Sequence, residues 1–178
     1  MSLSAAAVFD EVVGPALARE GFHRLARGRR WRKDSLEIRV VQDGKAQDPY
    51  RGAAFTLEFE VSPSGRFEVK LAGRARIGQL LDSAQAGQFL GLRNRIARRS
   101  PRPPTAHLMA IPESLHQTYL APLEQAQALD SDLWLRYATR ADLEEWCGLI
   151  AAGIADLTDR ALTLSPQQLY FGRALDWG

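Results

Sequence analysis

Apolar and polar positions alternate with two different periods along the chain, and the switch between periods marks out its elements. From Ser4 to Glu20, Phe9, Val12, Val13, Ala16 and Leu17 recur at helical spacing and form one apolar stripe. Gly14 and Pro15 lie inside that stripe, which predicts a kink or two shorter segments. Gly21 is placed as a left-handed C-terminal cap, with Phe22 packing back on the last turn. From Phe22 onward the period falls to two. Trp31, Leu36, Ile38 and Val40 read as inward positions, and Arg30, Arg32, Glu37 and Arg39 as outward ones. Lys33-Asp34-Ser35 is the turn between them.

The clearest strand is Phe55, Leu57, Phe59 and Val61 alternating with Thr56, Glu58 and Glu60. Ser62-Pro63-Ser64-Gly65 fits a type I turn, after which Phe67, Val69 and Leu71 form a returning strand. Pairing Val61 with Phe67 puts both apolar sets on one face. It also sets Glu58 opposite Lys70 and Glu60 opposite Glu68, a repulsion that Arg39 on a neighbouring strand would relieve. One face of this antiparallel sheet is apolar and the other charged.

After Arg74-Ala75-Arg76-Ile77-Gly78 the pattern returns to helix, with Leu80, Leu81, Phe89, Leu90, Leu92 and Ile96 facing a core. Ser100-Pro101-Arg102-Pro103-Pro104 is a stiff break. A helix interrupted by Pro122 follows over residues 113–129. Leu133-Trp134-Leu135 leads into the last helix, opened by the capping-box-like Thr139-Arg140-Ala141-Asp142. Leu143, Trp146, Cys147, Ile150, Ile154 and Leu157 share one face of that helix. The fold class is α+β: an antiparallel sheet of about four strands with helices packed on one face. We expect one domain over residues 1–164, with 1–100 as helix–sheet–helix and 105–164 as a helical part. The apolar tail 165–178 docks on it or on a second chain, so a monomer or a weak homodimer is expected.

Composition adds limits. The chain has 178 residues, 46% hydrophobic and 25% charged, which suits a globular core and excludes collagen, coiled coil and global disorder. No apolar run approaches the ~20 residues of a membrane span, and the acidic residues of the first eleven positions do not suit a signal peptide. A single cysteine excludes a disulfide framework and suits a reducing, cytoplasmic setting. The net charge of +2 conceals an asymmetry: residues 1–104 carry 19 Lys/Arg against 11 Asp/Glu, and residues 105–178 carry 4 against 10. Such a split marks either an electrostatic interface or two parts that attract each other within one fold.

The order Glu20-Gly21-Phe22, Trp31-Arg32, Val40-Val41-Gln42, Phe55-Thr56-Leu57-Glu58-Phe59-Glu60-Val61 and Arg74-Ala75-Arg76-Ile77-Gly78 resembles a bacterial family of domains of unknown function. Residues 6–162 carry the resemblance. It implies a compact α+β fold and a bacterial source, and it brings no established activity, cofactor or catalytic residue.

Candidate chemistry is sparse. Cys147 lies on the apolar helix face, where a thiol behaves as a small hydrophobe. No Gly-x-Ser-x-Gly elbow and no Gly-x-x-x-x-Gly-Lys phosphate loop is present. His23, His107 and His116 lack metal-ligand spacing, so neither metal nor cofactor is expected. Glu58, Glu60 and Glu68 on one sheet face are the best enzymatic case, a carboxylate-based hydrolase or lyase, against which stands a salt-bridged face built with Arg30, Arg32, Arg39 and Lys70. The strongest signal is arginine. Arg24, Arg27, Arg29, Arg30, Arg32 and Lys33 form one cluster, and Arg93, Arg95, Arg98, Arg99 and Arg102 a second; with Arg74 and Arg76 they would make a phosphate-binding strip if they shared a face. The lead reading is a non-catalytic domain that binds another protein, in the manner of immunity proteins by analogy of scale and charge. Its contact residues are Arg30, Arg32, Arg39, Glu58, Glu60, Arg74, Arg76, Arg93, Arg95, Arg98 and Arg99. Sequence-independent nucleic-acid binding is the alternative, and no membrane partner is expected.

Overall fold

The predicted first helix divides where Gly14 and Pro15 stand. In the computed structural model, α1 (Ala5–Val12) and α2 (Gly14–Arg19) meet at Val13. The structure describes residues 4–26, 29–42, 53–62, 73–99 and 133–163. Proline at the start of α2 costs nothing, because its missing N–H belongs to a first turn that has no intrahelical partner. Gly14 is required for a second reason. A Cβ there would come within 3.0 Å of the Trp31 ring. Gly21 closes α2 at φ +85°, and the Phe22 N–H donates to the Leu17 carbonyl, as the cap predicts.

Strands β1 (His23–Arg24), β2 (Arg30–Lys33), β3 (Leu36–Gln42), β4 (Ala53–Val61), β5 (Gly73–Arg76) and β6 (Leu135–Tyr137) make one antiparallel sheet. The order is β1-β2-β3-β4, and the far edge of β4 is shared end to end by two short strands. Residues 53–55 pair with β6 and residues 58–61 with β5. The helices α3 (Ile77–Leu80), α4 (Ser83–Arg99) and α5 (Arg140–Thr163) complete the described elements. Asp82 opens α4 by accepting from the Gln85 N–H at 2.8 Å, and Thr139 opens α5 by accepting from the Asp142 N–H at 3.2 Å.

Sheet parity follows the pattern of the chain. Trp31, Leu36, Ile38, Val40, Phe55, Leu57, Phe59 and Ala75 are buried on one face, beneath α1, α2 and α5. Leu143, Trp146, Cys147, Ile150, Ile154 and Leu157 of α5 are all buried in the same cluster, with Phe89, Leu92 and Ile96 of α4. The fold is thus α+β with an antiparallel sheet. Among the described residues it has six strands, of which β1, β2, β5 and β6 have four residues or fewer, where about four strands were expected.

Two expectations are corrected. The edge of β4 at residues 58–61 is occupied by Gly73–Arg76, so Val61 faces Gly73, Glu60 faces Arg74 and Glu58 faces Arg76, in place of Phe67, Glu68 and Lys70. A six-residue shift keeps every side chain on its own face, which is why alternation fixes the face and leaves the register open. The observed register replaces a Glu–Glu opposition by a Glu–Arg one. Leu135, expected to lead into the last helix, begins β6, with Leu133, Leu135 and Tyr137 all buried. The predicted strand 67–71, the break at 100–104, the helix over 113–129 and the tail 165–178 lie outside the described residues.

Candidate functional site

The charged face of the sheet is built by cross-strand pairing. Outward positions run Arg30 and Arg32 on β2, Glu37 and Arg39 on β3, Glu58 and Glu60 on β4, then Arg74 and Arg76 on β5. Two like-charge oppositions result, Arg30 with Arg39 and Glu37 with Glu60. Ion pairs resolve both. Glu37 takes Arg30 at 3.0 Å and Arg32 at 2.7 Å. Glu58 takes Arg39 at 3.5 Å and Arg76 at 3.7 Å, and Glu60 takes Arg74 at 3.1 Å. Among the described residues, each of the three glutamates of the face is engaged by at least one guanidinium.

Depth separates the two signs. The Glu37 side chain is 11% exposed, while its partners Arg30 and Arg32 are 41% and 48% exposed. Glu58 at 17% lies beneath Arg39 at 43%, and Glu60 at 35% beneath Arg74 at 58%. The carboxylates form a lower layer and the guanidiniums an upper one. Five arginines over three glutamates leave this lattice a formal +2. Arg76 departs from the pattern, being shielded by the Trp134 ring 5.1 Å from its guanidinium carbon. Trp134 lies just before β6, and its contact with Arg76 is one that sequence alternation alone does not reveal.

The second arginine cluster goes elsewhere. Arg99 forks onto α5, with Nη2 2.6 Å from Asp142 Oδ1 and Nη1 2.6 Å from Glu145 Oε1. Arg95 reaches Glu145 at 4.0 Å, and Arg98 is exposed. Arg95 and Arg99 therefore fasten α4 to α5, in the helical layer behind the sheet, and do not extend a strip with Arg74 and Arg76. Arg93 stands apart, half-buried beside β6. Part of the charge asymmetry is neutralised internally, since Arg95 and Arg99 of the basic part pair with Asp142 and Glu145 of the acidic part, while the Arg140–Glu11 pair at 2.7 Å joins the two parts in the opposite sense.

Cys147 is buried, and desolvation, with the neighbouring Glu144 charge, pushes its thiol up to about 12. His23 is exposed on β1. Among the described residues, no group of three or more His, Cys, Asp or Glu side chains is placed to hold a metal ion, and no helix is long and apolar enough to cross a membrane. No protein-family model matches the chain, and no curated protein or solved structure matches it either.

Proposed function

We propose that the chain is a non-catalytic binding domain that engages an acidic surface of another protein through the guanidinium layer of its sheet. The layering of Arg30, Arg32, Arg39 and Arg74 above Glu37, Glu58 and Glu60 carries this reading. Arginine forks match carboxylates in pairs, and their planar tips lose little freedom when a second carboxylate arrives. The glutamates beneath hold the side chains in place and offset the mutual repulsion of five cations. Both effects lower the cost of ordering the surface on association. A rigid strand backbone then fixes the spacing of the tips, which sets specificity and encounter rate more than raw affinity. A reducing cytosol is the compartment this reading assumes, since the single cysteine is buried and reduced.

Nucleic acid is the rival for the same surface, because the guanidinium layer also suits phosphates. The separation of Arg95 and Arg99 from the sheet favours protein, since it shortens the basic track to one patch. Titration against random duplex and single-stranded DNA at ~50 mM salt separates the readings. The proposal expects no measurable binding there; tight binding that weakens steeply with salt would overturn it.

A further inference from the structure

The outward positions of β2 and β3 set Arg30 directly opposite Arg39. The Val40 N–H donates to the Arg29 carbonyl, so Arg29 and Val40 are a hydrogen-bonded pair of the ladder. Arg30 and Arg39, one step on, are therefore a non-hydrogen-bonded pair, the kind whose Cα atoms stand about 4.5 Å apart and whose side chains lie closest. Two like charges so opposed repel. The carboxylates that relieve them lie to either side, Glu37 on Arg30 Nη1 at 3.0 Å and Glu58 on Arg39 Nη2 at 3.5 Å. Among the described residues, no acceptor is shared by the two guanidiniums. Arg30 Nε is moreover buried without a hydrogen-bond partner. A buried donor left unpaired is costly and calls for a reason.

The chemistry of the missing acceptor follows from the pair. A carboxylate has two oxygens, and a single arginine fork uses both. Two opposed forks suit an acceptor with a third oxygen and a double charge. Five arginines over three glutamates leave the lattice a surplus of +2. A phosphate monoester carries about −1.5 to −2 at pH 7 and presents three strong acceptor oxygens. A phosphodiester, with its single charge, would leave half of the surplus in place. Glu37 and Glu58 oppose such a group only weakly, because each lies deeper than its arginines and is engaged by two of them.

We infer that Arg30 and Arg39 clamp a phosphate monoester carried by a side chain of the partner, so that the partner binds in its phosphorylated form. This rests on the sheet face being the protein-binding surface, and it adds the group that anchors the partner there. Arg30 and Arg39 supply the forks, Glu37 and Glu58 hold them in place, and Arg32 and Arg74 flank the clamp as separate charges.

The test uses a capped Gly-Gly-X-Gly-Gly peptide in which X is phosphoserine, glutamate or serine, titrated into the full chain and followed by NMR on the arginine Nε–H signals. The phosphoserine peptide should saturate with its largest shifts at Arg30 and Arg39, and the glutamate peptide should bind about tenfold more weakly. Arg30→Gln and Arg39→Gln should each weaken phosphoserine binding about tenfold. Both variants should fold, since Glu37 keeps Arg32 and Glu58 keeps Arg76, and their amide spectra check this. Arg32→Gln removes the same charge from the same face and should weaken binding by less than about threefold. Equal losses in all three variants, or equal affinity for the phosphoserine and glutamate peptides, would overturn the clamp and leave the sheet face a general reader of acidic surfaces. Absence of saturable phosphoserine binding would likewise overturn the clamp alone, because protection of the sheet arginines in a protein complex is read separately. Shifts confined to helical arginines such as Arg98 would overturn the clamp and the sheet-face reading together.

Discussion

Replacing Asp142 by alanine removes a carboxylate that joins α5, the turn before it and α4. Its side chain is 3% exposed, and its Oδ2 accepts from the Ala138 and Thr139 N–H groups, both at 2.9 Å. Its Oδ1 accepts from Arg99 Nε at 2.9 Å and Nη2 at 2.6 Å. The substitution therefore strips a helix cap worth ~1 kcal/mol and charge-assisted bonds worth about 1.5–3 kcal/mol each in net terms. Arg99 is half-exposed and keeps Glu145, so it is not stranded, and the pair contributes at the low end. Together these give a loss of about 3 kcal/mol. For a chain of this length that corresponds to a fall in Tm of roughly 6–12 °C. Urea unfolding followed by circular dichroism should show a lower midpoint at unchanged slope.

The pH dependence supplies the sharper check. Burial alone would raise the Asp142 carboxyl, but the Ala138 and Thr139 donors and Arg99 outweigh it and hold it below the ordinary value of 3.8. A depressed folded-state value means that the stabilisation is complete above the unfolded value and is lost as pH falls through the folded one. The gap between wild type and Asp142→Ala should be full at pH 7 and should close as pH drops below about 4. A cost under 1 kcal/mol, or a gap that stays constant into acid, would refute the reasoning.

Three further outcomes follow from packing and charge. Gly14→Ala drives a methyl against the Trp31 ring, which the Asp10 carboxylate holds through its indole N–H at 2.9 Å, and should cost about 1–2 kcal/mol by thermal melting; no change would mean that the ring yields freely. Glu37→Gln leaves Arg30 and Arg32 without their shared carboxylate and should cost about 1–2 kcal/mol, less at high salt, because both arginines are half-exposed. Cys147, with its thiol near 12, should react with Ellman's reagent at pH 8 only as fast as the core opens, and rapidly in urea.

How much of this was legible in the chain depends on the distance over which each interaction acts. The α2 cap at Gly21, the turn at Asp34 and the Thr139 box are local, and each stands where its residues predict. The charged and apolar faces of β3 and β4 follow from a period of two, which needs no knowledge of partners. Register is another matter. Residues 67–71 and 73–76 offer the same parity to β4, and only pairing in space selects Arg74 and Arg76 for Glu60 and Glu58. The three-residue β6 is too short to carry a period, so its Leu135 and Tyr137 read equally well as a helix approach. Of the arginines named from the sequence, Arg30, Arg32 and Arg39 stand on the sheet face as expected, and Arg74 and Arg76 join them there through β5. Arg95 and Arg99 do not join them, because their carboxylate partners lie more than forty residues away in α5. The layering of charge by depth is a property of packing that no spacing encodes.

The most direct measurement on the proposed surface is arginine footprinting of the chain, free and bound to a protein it captures, using phenylglyoxal and mass spectrometry. Arg32, Arg39 and Arg74, the most exposed tips of the guanidinium layer, should react in the free protein and be protected in the complex. Arg32, Arg39 and Arg74 staying fully reactive in the complex, with protection confined to helical arginines such as Arg98, would contradict the assignment of the guanidinium layer as the binding surface.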